Sequence, residues 1–199
     1  MNAEAAAFDA DWYIVKQAVL DAPRRTFLLD YALARDREKL MRVGDEQVSD
    51  AAYAYGDPEI DRLLDTMRAP IERATSTRLW PTFSYMRVYR TGNMLKAHRD
   101  RPACEVSITI NIGMEAQAAW PIWISGPNGI KAVALEPGDG LIYRGCDCYH
   151  WRDPFEGAYQ VQAFLHYVER DGARAEWKFD KRAGLSCDAE ATAPEASLR

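Results

Sequence analysis

Three residues in this chain have the types and spacing for metal chemistry: His98, Asp100 and His150. The first two close the stretch Tyr85 to Asp100, YMRVYRTGNMLKAHRD, in which Tyr85, Arg87 and Tyr89 alternate with Met86 and Val88. Alternation of period 2 predicts a half-buried strand, and in a strand residues i and i+2 project to one side. His98 and Asp100 are therefore expected to point together, with Arg99 turned away. His150 follows the turn Gly138-Asp139-Gly140 and the apolar Leu141-Ile142-Tyr143, which places it near a second strand end. Two histidines and one carboxylate can hold Fe(II) on one face and leave its remaining positions open. Each residue alone has a plainer account, His98 with Asp100 as a surface pair and His150 as a hydrogen-bonded histidine. The run Cys146-x-Cys148-x-His150 also invites a zinc reading, but structural zinc sites pair their ligands twice and no second pair is present. Buried free thiols beside a metal-ligating histidine fit better.

The elements that must position these residues are short strands. Thr91-Gly92-Asn93 supplies a turn between Tyr89 and the extended Met94 to Ala97. Val106, Ile108, Ile110 and Ile112 alternate with Ser107, Thr109 and Asn111 in the clearest strand of the chain. Ala119 to Ile124 turns at Ser125-Gly-Pro-Asn-Gly129 into Ile130 to Leu135, Leu141 to Arg144 is another strand, and Tyr159 to Val168 closes the set. Many short strands joined by Gly and Pro turns indicate a barrel or jelly roll. The first 80 residues read as helical: a loose Ala-rich start, a helix from Asp11 through Leu20, a second over Thr26 to Met41, and a third capped by Asp57-Pro58 with Ile60, Leu63, Leu64, Met67 and Ile71 on its buried face. Pro70 is expected to kink or divide that third helix. We divide the chain into a helical prelude (1–80) belonging to the same domain as a β core (81–180), and a tail (181–199) with too little apolar content to pack.

Tyr89, Gly92, Leu95, His98 and Asp100 together resemble the Tyr-x-x-Gly-x-x-Leu-x-x-His-x-Asp segment of the 2-oxoglutarate and Fe(II)-dependent oxygenases, in their prolyl-hydroxylase-like branch. Pro137-Gly138-Asp139 followed by His150 resembles that family's second metal-ligand segment, and the resemblance spans about residues 80 to 169 in the family's order. It implies an α+β protein built on a double-stranded β-helix, with His98, Asp100 and His150 as both the catalytic and the metal-binding residues. It implies 2-oxoglutarate on two of the open metal positions and O2 on the third, with succinate and CO2 as co-products. Tyr89 matches the tyrosine that helps hold 2-oxoglutarate. Where the family carries an Arg or Lys on the last barrel strand for the far carboxylate, this chain reads Tyr159-Gln160-Val161. Arg suits that role through its planar fork. Arg152 and Arg87 are the candidates to replace it, with Arg144, Lys96 and Arg101 behind them and Gln162 able to add a hydrogen bond. The plainer account pairs Arg152 with Asp153 or Glu156, and Arg87 with a structural acid. His166, in the apolar run Phe164-Leu165-His166-Tyr167, reads as a packed core histidine.

The resemblance thus implies an oxidoreductase hydroxylating a small molecule, an amino-acid residue or a peptide. The alternatives are a cupin-like metal enzyme without 2-oxoglutarate, for which three histidines are few, and a non-catalytic metal or 2-oxoglutarate sensor. A nucleic-acid demethylase draws on the basic cluster Arg87, Arg90, Lys96, Arg99 and Arg101, but the paired arginines of that branch are missing. A net charge of −5 argues against general polyanion binding, and no nucleic-acid partner is expected. No apolar run reaches the length of a membrane span and the first residues lack a signal-peptide layout, so a cytoplasmic protein is expected. Four cysteines in 199 residues suggest no disulfide framework. Oligomeric state is not legible.

Overall fold

A computed structural model describes residues 2–191, with side chains described through residue 188. Two antiparallel sheets face each other. The larger contains β1 (Tyr13–Lys16), β2 (Arg42–Val43), β3 (Ala52–Tyr55), β4 (Leu79–Arg90), β6 (Val106–Glu115), β9 (Gly140–Tyr143) and β11 (Tyr159–Glu169), in the order β1-β9-β6-β11-β4-β3-β2. The smaller contains β5 (Leu95–His98), β7 (Ile122–Gly126), β8 (Gly129–Val133) and β10 (His150–Arg152), in the order β5-β10-β7-β8. This is the α+β jelly-roll barrel that the strand pattern predicts.

Helices cover the outer face of the large sheet: α1 (Ala3–Asp11), α2 (Ala22–Arg37) and α3 (Pro58–Thr75), with a short α4 (Ser186–Ala191). Ile60, Leu63, Leu64, Met67 and Ile71 of α3 join Met86 and Val88 of β4, Ile108 and Ile110 of β6, and Val161, Ala163 and Leu165 of β11 in the main core. Asp57 caps α3 by accepting from the amides of Glu59 and Ile60. The helix runs through Pro70 undivided.

The prelude differs from expectation at its start. Residues 3–11 are helical rather than loose, Trp12 ends that helix with a left-handed backbone (φ 67°), and Tyr13–Lys16 is a strand where a helix was expected. The reason is tertiary: β1 pairs with β9, Tyr13 opposite Tyr143, and extends the large sheet. The second helix begins at Ala22, capped by Asp21, and ends at Arg37, which leaves Leu40 exposed. The tail also begins later than its composition suggests. Leu185 is buried, the Ser186 amide donates to Asp61, and Arg182 donates to the Thr82 carbonyl. Residues 192–199 of the expected tail lie outside the described residues.

The other faces of β4, β6 and β11 point into the barrel, and that fact decides the site. Ser107, Thr109 and Asn111 on β6 and Gln160 and Gln162 on β11 are polar yet buried. Alternation that would ordinarily mean core and solvent here means core and barrel interior.

Candidate metal and co-substrate site

His98 ends β5 and His150 opens β10, and the two are directly opposite partners in the small sheet. Their rings lie 4.3 Å apart between centroids. Asp100 follows His98 by two residues, and its amide donates to the Gly145 carbonyl, which fixes where the carboxylate emerges. His98 Nε2 and His150 Nε2 lie 3.4 and 3.6 Å from the same oxygen, Asp100 Oδ1. The three donors are all within 4.8 Å of one another.

The other ring nitrogens explain why this arrangement suits a cation. His98 Nδ1 lies 2.8 Å from the Lys96 carbonyl and His150 Nδ1 3.1 Å from the Cys148 carbonyl. A carbonyl only accepts, so each Nδ1 carries the hydrogen and each neutral ring presents a bare Nε2. Two bare nitrogens and a carboxylate oxygen converge with nothing positive between them. A divalent ion bound there would satisfy all three, with the ring orientations already set by the backbone. Without one, a proton is the substitute. Burial disfavours the charged ring of His98, but Asp100 and the Lys96 carbonyl outweigh it and raise its pKa above 6.5. His150 is buried more deeply and its pKa is lowered. Burial would raise the Asp100 carboxyl, but the histidines around it hold it low.

The cluster opens on a cavity of about 410 Å³. Tyr55, Phe83, Tyr85 and Phe164 line it, as do Tyr143, Arg87 and His166.

The two candidate arginines differ sharply. Arg87 lines the cavity and is already paired with Asp45; its guanidinium also donates to Tyr89 Oη at 3.2 Å and to Tyr85 Oη at 3.3 Å. Arg152 is buried deeper, packed over the Trp120 ring at 4.8 Å, and donates through Nη1 to the Trp120 carbonyl. Its Nε and Nη2 have no partner, and it forms no ion pair among the described residues. Neither Asp153 nor Glu156 pairs with it; Asp153 instead accepts from the Trp123 indole. Burial lowers the Arg152 pKa to about 10, with the Tyr89 and Tyr143 oxygens opposing the shift. Gln162 Oε1 accepts from the Thr109 hydroxyl at 3.0 Å, and its Nε2 has no partner. Lys96, Arg144, Arg152 and Gln162 all lie outside the cavity lining; Arg101 lines it but is held by both oxygens of Asp180, and Arg144 is paired with Asp9. A buried cation and a buried amide donor without acceptors are the complement of a carboxylate.

Asp45 and His166 went unrecognised as parts of this site, whereas Trp120 reads from the sequence as core or pocket wall. Asp45 lies in a loop with no local signal. His166 is in phase with Gln162 and Phe164 on β11, so period-2 counting would have put it on the barrel face rather than in the helix-side core.

No family model matches this chain, and no curated protein matches it. Solved structures do. A prolyl-4-hydroxylase from Pseudomonas putida superposes with a TM-score of 0.69 at 15% identity, covering 84% of this chain and 98% of that one. The fold is that of the 2-oxoglutarate and Fe(II)-dependent oxygenases. A prolyl hydroxylase from Trichoplax adhaerens, in complex with a hypoxia inducible factor peptide fragment, superposes at 0.69 with 15% identity over 83% of this chain and 87% of that one. HygX from Streptomyces hygroscopicus, with nickel and 2-oxoglutarate bound, superposes at 0.65 with 11% identity over 86% and 88%. At these identities the likeness is one of fold, and the double-stranded β-helix expected from the motif is the fold found.

Proposed function

We propose that this protein is a non-haem Fe(II) and 2-oxoglutarate-dependent oxygenase that hydroxylates a small molecule, an amino-acid residue or a peptide. The observation that carries the reading is the convergence of His98 Nε2, His150 Nε2 and Asp100 Oδ1 at the cavity wall, inside a fold whose solved examples include oxygenases. His98, Asp100 and His150 would hold the iron, which when bound with 2-oxoglutarate supplies O2 activation coupled to decarboxylation to succinate and CO2.

The chain's own residues bind and orient. Arg152 would take the far carboxylate of 2-oxoglutarate through Nε and Nη2, with the Gln162 amide and the Tyr89 hydroxyl beside it. The aromatic wall of Tyr55, Phe83, Tyr85 and Phe164 would shield an incoming substrate from water and leave its reacting C–H bond toward the histidines. Arg87, already held by Asp45, shapes the cavity rather than binding the co-substrate. Among the described residues no helix is long and apolar enough to cross a membrane. A peptide substrate has a precedent in the Trichoplax enzyme, whose structure holds a peptide fragment.

The test is succinate production from 2-oxoglutarate, followed by NMR with Fe(II), ascorbate and O2. The parent should form succinate slowly even without its own substrate, and His98→Ala should form none. Equal background in both would contradict the assignment.

A further inference from the structure

Two residues of the cavity wall already hold a carboxylate, and that carboxylate belongs to the chain itself. Arg101, next in sequence to Asp100, lines the cavity, as do Tyr55 and Phe83. Its guanidinium lies over the Phe83 ring at 4.4 Å and donates to both oxygens of Asp180, Nη1 to Oδ1 and Nη2 to Oδ2, at 2.7 Å each. The Tyr55 hydroxyl donates to Oδ2 as well, and the Tyr55 ring is stacked on Phe83 at 5.1 Å between centroids. Two parallel N–H donors and a hydroxyl, carried on aromatic walls, make a receptor for a planar carboxylate. Burial would raise the Asp180 carboxyl, but the bonds from Arg101 and Tyr55 outweigh it and hold it below its usual range. Asp180 is therefore ionised at neutral pH, and it reaches this receptor from outside the cavity lining.

The backbone that brings Asp180 there is strained. Phe179, Asp180 and Lys181 are consecutive, none is glycine, and their φ values are 53°, 55° and 61°. Left-handed backbone is disfavoured for such residues, and a run of three persists only where the surroundings hold it. The chain on either side has anchors of its own: Trp177 packs beside Phe83, Arg182 donates to the Thr82 carbonyl, and Leu185 is buried. The pair also differs from Arg87 with Asp45, because 43% of the Arg101 side chain is exposed against 3% of Arg87. An anion from solution can reach Arg101. We propose that Arg101 and Tyr55 form the recognition site for a carboxylate of the substrate, and that Asp180 fills it until the substrate arrives. This deepens the oxygenase reading, on which it rests, by naming the substrate as an acid. An external carboxylate makes the same three bonds without holding three residues in left-handed backbone. Asp180, being tethered, is the competing occupant, and it lowers apparent affinity by the fraction of molecules in which Arg101 is free.

Calorimetry on the full chain without metal tests this, with phenylacetate as the probe and phenylacetamide as its neutral counterpart. Near-ultraviolet circular dichroism reports the fold of each variant. Asp180→Asn should bind phenylacetate at least about tenfold more tightly than the parent does, because the receptor has lost its internal acid. It should bind phenylacetamide no better than the parent. Adding Arg101→Met to Asp180→Asn should remove the gain, adding Tyr55→Phe should remove a smaller part of it, and adding Arg152→Met should leave it intact. In the parent, phenylacetate should speed amide hydrogen exchange over residues 177–182 as Asp180 is displaced. Equal phenylacetate affinity in the parent and Asp180→Asn, a gain that survives the loss of Arg101, a gain shared by phenylacetamide, or binding by none of these proteins would each overturn the proposal. Should Asp180→Asn misfold, the parent carries the test, and exchange over 177–182 that phenylacetate does not speed overturns it. No metal is present in these titrations, so the two readings fail separately: the proposed function by absent succinate, this proposal by an absent carboxylate gain.

Discussion

Among the described residues two arginines are buried, and their surroundings are opposite. Arg87, on β4, has a carboxylate, two phenol oxygens and a place in the cavity wall. Its pKa is raised, because the oxygens of Tyr89, Tyr85 and Asp45 more than offset the penalty of burial. Arg152, on β10, has one carbonyl, an indole face and no acid, and burial lowers its pKa. Removing a charge from water without a counter-charge costs several kcal/mol. A folded protein keeps such a group when something else supplies the missing charge. The paired arginine is thus satisfied within the fold, whereas the unpaired one still lacks an acceptor. That contrast is why we propose Arg152 rather than Arg87 for the far carboxylate of 2-oxoglutarate.

The largest effect that would break the comparison is at Arg152 itself. Arg152→Met should weaken 2-oxoglutarate binding about 100-fold or more, equivalent to about 3 kcal/mol for the charge-assisted bonds removed. The ligand-free variant should melt no lower than the parent, because an uncompensated buried charge has become apolar volume. A calorimetric titration and a thermal melt check the two halves, and a markedly lower melting temperature would make Arg152 structural after all.

Asp45→Ala should do the reverse. It leaves Arg87 buried without its acid, so stability should fall by about 1–3 kcal/mol, less than for a fully buried pair because Asp45 is partly exposed. Denaturant unfolding measures that loss, and 2-oxoglutarate affinity should change by no more than about threefold. A loss of affinity matching that of Arg152→Met would move the anchor to Arg87.

The pH dependence of metal binding comes next. The raised pKa of His98 means that its protonated form stabilises the metal-free fold fully below 6.5, and that this contribution is lost as pH rises through the raised value. Metal binding needs the neutral ring, so the ion and the proton compete. The rise in melting temperature on adding Mn(II) should be small in acid and should grow as pH passes the raised His98 value, with affinity changing about tenfold per unit below it. A gain independent of pH would remove His98 from the ligand set.

The smallest effect belongs to Gln162→Leu, which removes a buried neutral amide donor that has no partner. Binding of 2-oxoglutarate should weaken by about 1 kcal/mol, roughly fivefold. No change in a direct titration would leave Arg152 to act with Tyr89 alone.

Much of the site was legible in the chain because strand periodicity and the metal donors are local. His98-x-Asp100 is a local pattern, although β5 ends at His98 and Asp100 is held beyond it by its amide's bond to the Gly145 carbonyl; the structure brings the pair to His150 because β5 and β10 are neighbours. The third helix was legible through Asp57, Pro58 and its apolar stripe. Three things were not. The strand at Tyr13–Lys16 exists because β9 offers it a free edge, which no local propensity reports. The isolation of Arg152 depends on Trp120, 32 residues away in a loop, and on where Asp153 and Glu156 happen not to point. The placing of His166 turned on counting phase along β11, where Phe164 and Leu165 beside it made the run look uniformly apolar.

The central claim is that this cavity holds Fe(II) and 2-oxoglutarate together, and an anaerobic titration of 2-oxoglutarate into the Fe(II)-loaded protein tests it most directly. The parent should develop the visible metal-to-ligand charge-transfer band of a chelated 2-oxo acid, His98→Ala should develop none, and Arg152→Met should reach the same band only at much higher 2-oxoglutarate. Iron bound without any such band would contradict the account.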